Sequence, residues 1–193
     1  MESLFNYINR YITTPISESD FKNISSHLVY KKIRKKQYFL AEGDVCKYFA
    51  FIIKGAMRKY YVDENGKENI VNLYIENWWA GDRESFIMLT TSKYYIDAWE
   101  DCEVLLITKE SMLQLNSESP AFNEMMLKMD ERNNIANQKR ITSTISFCAE
   151  KRYLDFITNH PQFLQRFPQH LIASYLGITK DTLSRIRKQH LSK

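Results

Sequence analysis

The densest group of side chains able to make directed contacts is Thr179, Lys180, Asp181, Thr182, Ser184, Arg185 and Lys188. A guanidinium such as that of Arg185 donates two parallel hydrogen bonds to a guanine edge, and a carboxylate such as Asp181 accepts from the amino group of cytosine. Hydroxyl and ammonium groups hold phosphates. The chemistry open to this set is recognition of duplex DNA, not bond making. The residues around it make the set usable. Counting from Gln169, a small residue (Ala173) stands fifth and a glycine (Gly177) ninth, with apolar Ile172, Leu176, Ile178, Leu183 and Ile186 between and after. Ala173 lets two helices cross closely, Gly177 takes the left-handed backbone that ends the first helix, and the apolar residues face inward. Thr179 is placed to cap the second helix, and Asp181 in its first turn suits the helix dipole. This is the spacing of a helix-turn-helix whose second helix enters the major groove.

Charge points the same way. The 193-residue chain has a formal net charge of +4. From Glu150 onward, Lys151, Arg152, Arg166, Lys180, Arg185, Arg187, Lys188 and Lys193 are set against only Glu150, Asp155 and Asp181. A basic tail on a near-neutral remainder suits a polyanion. Hydrophobic residues make up 44% of the chain, enough for a sizeable core and too many for a disordered one. There is no positive-then-apolar leader and no apolar run of spanning length, so a cytoplasmic protein without a membrane partner is expected. Cys46, Cys102 and Cys148 lie far apart with no metal-ligand spacing. They read as inert thiols in a reducing compartment, with no metal site.

These residues need a scaffold. Residues 2–12 and 17–27 read as two short helices, broken at Thr13, Thr14 and Pro15 and capped by Ser17 or Ser19. From residue 28 to 108 the character is strand. The segments 48–53, 57–62, 69–75, 94–99 and 104–108 are β-branched and aromatic. Turn signals separate them at Glu42-Gly43-Asp44, Lys54-Gly55 and Glu64-Asn65-Gly66-Lys67. Several short strands so spaced predict a barrel or jelly roll. After Lys109 the pattern turns helical. Ser119 caps and Pro120 opens a stretch without Gly or Pro, about 27 residues and roughly 40 Å long at 1.5 Å per residue. Phe122, Met126, Met129, Asn133, Ala136, Arg140, Ser143 and Phe147 form a heptad stripe along it, so a partner helix from a second chain is expected. A further helix at 150–159 and a very short hairpin at 163–167 precede the helix-turn-helix.

An enzyme on a jelly roll usually holds a metal with clustered histidines, and residues 28–108 contain none. No nucleophile–base–acid set, phosphate loop or dinucleotide fingerprint appears, so no catalytic residue is assigned. A signalling subunit that binds a cyclic nucleotide but no DNA is the other rival, and the basic helix-turn-helix argues against it.

Over residues 20 to 190 the chain resembles the Crp-Fnr superfamily, the cyclic-AMP receptor protein and its relatives. The resemblance rests on Glu42-Gly43-Asp44, Lys54-Gly55, Asp63-Glu64-Asn65-Gly66-Lys67-Glu68, Gly81-Asp82, Cys102-Glu103-Val104 with Ile107, and Pro120, followed by the long helix and the helix-turn-helix. It implies an α+β chain in three parts. These are a cyclic-nucleotide-binding-like jelly-roll barrel (1–118), a dimerisation helix (119–148) carrying Phe122, Met126, Met129, Asn133 and Ala136, and a short-winged helix-turn-helix (149–193). It places base reading on Lys180, Asp181 and Arg185.

The implied effector pocket comprises Gly81, Asp82, Arg83, Ser92, Lys93, Asn137 and Gln138. In the cyclic-AMP-binding members a Glu holds the ribose and an Arg-Ser pair holds the phosphate. Here those positions read Asp82 and Ser92-Lys93, without the forked guanidinium that suits a phosphate. Cyclic AMP is therefore not expected as the effector. The cysteines of the iron–sulfur members are missing and no histidine is placed for haem, so neither cofactor is expected. The expected partners are double-stranded DNA, a second copy of the chain, RNA polymerase and an unidentified small molecule.

Overall fold

The computed structural model describes residues 1–191. Lys193, counted above in the basic tail, lies outside the described residues. Two helices open the chain, α1 (Glu2–Tyr11) and α2 (Glu18–Ser26). Eight strands follow: β1 (Val29–Ile33), β2 (Tyr38–Leu40), β3 (Tyr48–Lys54), β4 (Met57–Val62), β5 (Glu68–Tyr74), β6 (Trp79–Ala80), β7 (Tyr95–Ala98) and β8 (Cys102–Thr108). A short helix, α3 (Arg83–Met88), interrupts them before β7. Helices α4 (Lys109–Glu118), α5 (Pro120–Ser146), α6 (Ala149–Asn159), α7 (Phe163–Arg166), α8 (Gln169–Tyr175) and α9 (Lys180–Leu191) complete the described chain. No helix is long and apolar enough to cross a membrane among the described residues.

The strands form two four-stranded antiparallel sheets, ordered β1-β8-β3-β6 and β2-β7-β4-β5. Their facing sides enclose one core cluster that includes Ala50, Ile52, Met57, Ile96, Val104 and Leu106. The alternate residues of β3 and β8, namely Phe51, Leu105 and Ile107, point the other way, into a second cluster with Leu4, Ile8, Leu115 and Phe122 of the helices. Both faces of these strands are covered, which is why their sequences are continuous apolar runs and not alternations.

Turn chemistry fixes the hairpins. Asp63 Oδ1 accepts from the N–H of Asn65 and of Lys67, and Gly66 takes a φ of 77°. Gly55 turns at φ 99°, and a β-carbon there would lie 2.5 Å from the carbonyl oxygen of Asp101.

The C-terminal segment differs from the expectation at one point. Residues 163–167 form a single helical turn, not a hairpin, and no strand follows Thr108 among the described residues. The expected short wing is therefore replaced by α7. Phe163 and Phe167 stand one helical turn apart and are both buried in the core shared with Phe156 and Leu171.

Candidate nucleic-acid interface and barrel interior

Helices α8 and α9 cross as the spacing requires. Ala173, Leu183 and Ile186 are buried between them and α6. Gly177 turns at φ 64°. The hydroxyl of Thr179 accepts from the N–H of Thr182 at 3.1 Å, capping α9, and donates to the Thr182 hydroxyl at 2.9 Å. Lys180, Asp181, Arg185 and Lys188 are exposed on the outer face of α9, with Thr182 and Ser184 half-buried beside them. Asp181, Ser184, Arg185 and Lys188 line one shallow surface depression along the helix. The residues expected to read DNA thus share one open face.

That module is seated on the barrel of its own chain. The Ser174 hydroxyl on α8 accepts from the Ile70 N–H of β5 at 2.9 Å. Arg166 grips two carboxylates, Glu76 (3.0 and 3.1 Å) and Glu100 (2.8 and 2.6 Å). The Trp99 indole N–H donates to the Arg166 carbonyl at 3.1 Å. One hydrophobic cluster runs through the junction, from Tyr60, Ile70 and Leu73 to Phe156, Phe163 and Leu171. Arg140 of α5 donates to the Val71 carbonyl and, at 3.4 Å, to the Tyr175 carbonyl, so barrel, long helix and α8 meet at one guanidinium.

Helix α5 divides along its length. Ser119 caps it and Pro120 begins it, as the sequence implies. Phe122 and Met125 are buried against the chain's own barrel and N-terminal helices, with Met126 half-buried beside them, and Met129 is also buried within the chain. Phe122 and Met129, expected to face a second chain, are therefore internal residues. Asn133 and Ala136 are exposed, as are Leu127, Ile135, Ile141 and Ile145 at 52–79%. Residues 127, 134 and 141, with 131, 138 and 145, make a heptad stripe lying next to the expected one. Helical periodicity gives a stripe but not its phase, and the barrel claimed the larger residues first.

The barrel interior holds a charged cluster. Asp82 accepts from the Lys59 ammonium at 2.8 Å through one oxygen and from the Ser92 hydroxyl at 2.7 Å through the other. The Lys59 ammonium also lies 4.0 Å from the centre of the Tyr94 ring. Lys59, Asp82 and Ser92 are all buried. Arg83 turns outward and makes two hydrogen bonds to Asp130 of α5, at 2.6 and 2.5 Å.

Residues 30–119 match the model of the cyclic nucleotide-binding domain. The fumarate nitrate reduction regulatory protein of Klebsiella oxytoca is 26% identical over 185 residues, covering 89% of this chain and 72% of that protein. The chain is homologous to regulators of the Crp-Fnr superfamily. Two solved structures share its fold. FixK2 from Bradyrhizobium japonicum superposes with a TM-score of 0.72 at 17% identity, covering 86% of this chain and 85% of that one. The catabolite activator protein of Thermus thermophilus gives 0.59 at 15%, covering 96% and 87%.

Set against the Crp-Fnr pocket residues named from the sequence, the structure brings together Asp82 and Ser92, beside Gly81. Lys93 is exposed, while its neighbour Ser92 is buried in the loop that leads into β7. Arg83, Asn137 and Gln138 lie outside the interior: Arg83 on Asp130, the other two on the exposed half of α5. Lys59 was missed. Its signal was present, since Met57 and Lys59 alternate onto one face of a strand whose Met faces the core, and a lysine there must find a carboxylate.

Proposed function

We propose that this chain is a sequence-specific, DNA-binding transcription regulator that acts as a homodimer. The observation that carries the reading is the face of α9, where Lys180, Asp181 and Arg185 are exposed above buried Leu183 and Ile186. Lys180, Asp181 and Arg185 are assigned to base edges, and Thr179, Thr182, Ser184 and Lys188 to the phosphate backbone or its approach. The names of the relatives support the reading, since one is a regulatory protein and another an activator.

Residues 1–118 serve as the sensor barrel, 119–148 as the dimerisation helix and 149–193 as the DNA-binding segment. The exposed half of α5 provides the contact for a second copy, through Leu127, Ile135, Ile141 and Ile145 beside Asn133 and Ala136. A pair of such chains presents two recognition helices to half-sites about one helical turn apart. The protein works in the cytoplasm on promoter DNA, with RNA polymerase as its partner there. Any small effector acts at the barrel and is not cyclic AMP.

Selection of bound duplexes from random DNA, followed by gel shift at two salt concentrations, tests the reading. A two-fold symmetric consensus with an affinity falling steeply with salt is expected. Failure to enrich any sequence would overturn it.

A further inference from the structure

We propose that the barrel interior is a binding site for a primary ammonium group, filled by the chain's own Lys59, and that this internal ligand holds the long helix through Arg83 in place of an external effector. The proposal rests on the sensor-barrel reading above and deepens it.

A buried ammonium needs a carboxylate, further hydrogen-bond partners or a π face, and protection from water. Lys59 has these. Asp82 faces it at 2.8 Å and the Tyr94 ring lies under it at 4.0 Å. Lys59 retains only 8% of its exposure, and Asp82 5%. Both oxygens of the carboxylate are engaged. The second oxygen of Asp82 takes the Ser92 hydroxyl at 2.7 Å, and that hydroxyl accepts from the Tyr94 N–H at 3.0 Å. The Asp82 N–H donates to the Cys46 sulfur at 3.4 Å. The pair carries no net charge. An anionic ligand entering here would have to part Lys59 from Asp82 and leave a buried carboxylate alone, a costly exchange.

The cluster is tied to the rest of the molecule by adjacency in the chain. Asp82 is followed at once by Arg83, whose guanidinium takes both oxygens of Asp130 on α5. The same helix carries Arg140, bonded to β5 and to the end of α8. A shift of residue 82 therefore moves the anchor of the helix on which the DNA-binding segment is pinned. The element with two arrangements is the 82–83 junction: Asp82 inward on Lys59 with Arg83 on Asp130, or both released.

Replacing Lys59 with alanine leaves a space shaped for n-propylammonium, and that is the probe. In thermal melts, Lys59→Ala should be destabilised and then raised by millimolar n-propylammonium, with no rise from n-propanol of the same shape. Wild type should respond to neither. On a selected DNA site, Lys59→Ala should bind roughly 5–150-fold more weakly, the usual range of coupling between sites, and regain affinity with the amine. Arg83→Gln alters a side chain on the surface and tests the relay without disturbing the barrel. It should melt within a few degrees of wild type and bind DNA more weakly by a similar factor. Equal rescue by propanol, or no melting response to the amine by a folded Lys59→Ala protein, would overturn the ammonium site. Wild-type DNA affinity in Arg83→Gln would overturn the relay, even if Lys59→Ala failed to fold. The melts need no DNA, so their outcome is independent of the DNA-binding reading.

Discussion

Replacing Arg166 with methionine removes the clasp between α7 and the barrel while keeping the length of the side chain. Arg166 makes four charge-assisted hydrogen bonds to two carboxylates. Its side chain is 27% exposed and those of Glu76 and Glu100 are 32% and 33%, so water screens the pairs in part. An exposed ion pair contributes roughly 0.2–1 kcal/mol, and hydrogen bonds to charged groups roughly 1.5–3. Two forked pairs in a half-buried site, with two carboxylates left facing each other after substitution, give a loss of about 2 kcal/mol. For a chain of this size that lowers Tm by about 4–8 °C at neutral pH.

The pH dependence is a second signature. Burial pushes the Glu76 carboxyl up, but the Arg166 guanidinium and the Gly55 N–H outweigh it and hold the group below its ordinary value of 4.5. A depressed carboxyl stabilises the fold above its unfolded pKa, and that stability is lost as pH falls through the folded value. Thermal melts followed by circular dichroism should therefore show a gap between wild type and Arg166→Met that is full at pH 7 and narrows below about pH 4.5. Coincident melts at pH 7, or a gap unchanged at pH 3, would refute the reasoning.

Other outcomes follow from the same geometry. Arg185→Ala should cost about 1–3 kcal/mol at the selected site and relax the preference at one base position; an equal loss on random DNA would assign Arg185 to phosphate alone. Ile141→Asp or Ile145→Asp should give folded monomers in sedimentation, whereas Met129→Asp should destabilise its own chain; intact dimers in both isoleucine variants would sink the proposed contact face. Gly55→Ala should lower stability by about 1–3 kcal/mol in denaturant titration, because its φ of 99° and the Asp101 carbonyl leave no room for a β-carbon. Phe163→Ala should cost about 3–5 kcal/mol, since the ring is fully buried, and an effect below 1 would contradict its place in the junction core.

The helix-turn-helix was legible because each of its residues answers a local demand: a small residue at a crossing, a glycine at φ 64°, a threonine cap. The hairpins were legible for the same reason, in Asn65-Gly66 and Lys54-Gly55. What local pattern could not show was partnership at a distance. Phe163 and Phe167 have the bulk of strand residues, and only the shared core with Trp78 and Phe156 makes them a helical turn. Helix α3 hides in a stretch read for its pocket residues. The phase of α5 depends on which stripe the barrel covers, and no residue of α5 alone announces it. Lys59 carries half of its signal in its alternation with Met57, but the carboxylate that it needs, Asp82, is 23 positions away and meets it only in the folded barrel.

The cluster that joins Tyr60, Ile70 and Leu73 to Phe156, Phe163, Leu171 and Ile172 has a thermodynamic meaning. Apolar surface shared by two segments is counted in the free energy of both, so neither melts without exposing the other. Barrel and tail then unfold in one heat-absorption peak, with a van't Hoff enthalpy belonging to the whole chain. A tail cut free near residue 148 would carry an open apolar face into water and lose the cooperativity that keeps α8 and α9 crossed. Heritable change is coupled in the same way: a substitution at Leu73 of β5 alters the footing of α8 and α9, whose Leu171, Ile172, Leu183 and Ile186 share its cluster.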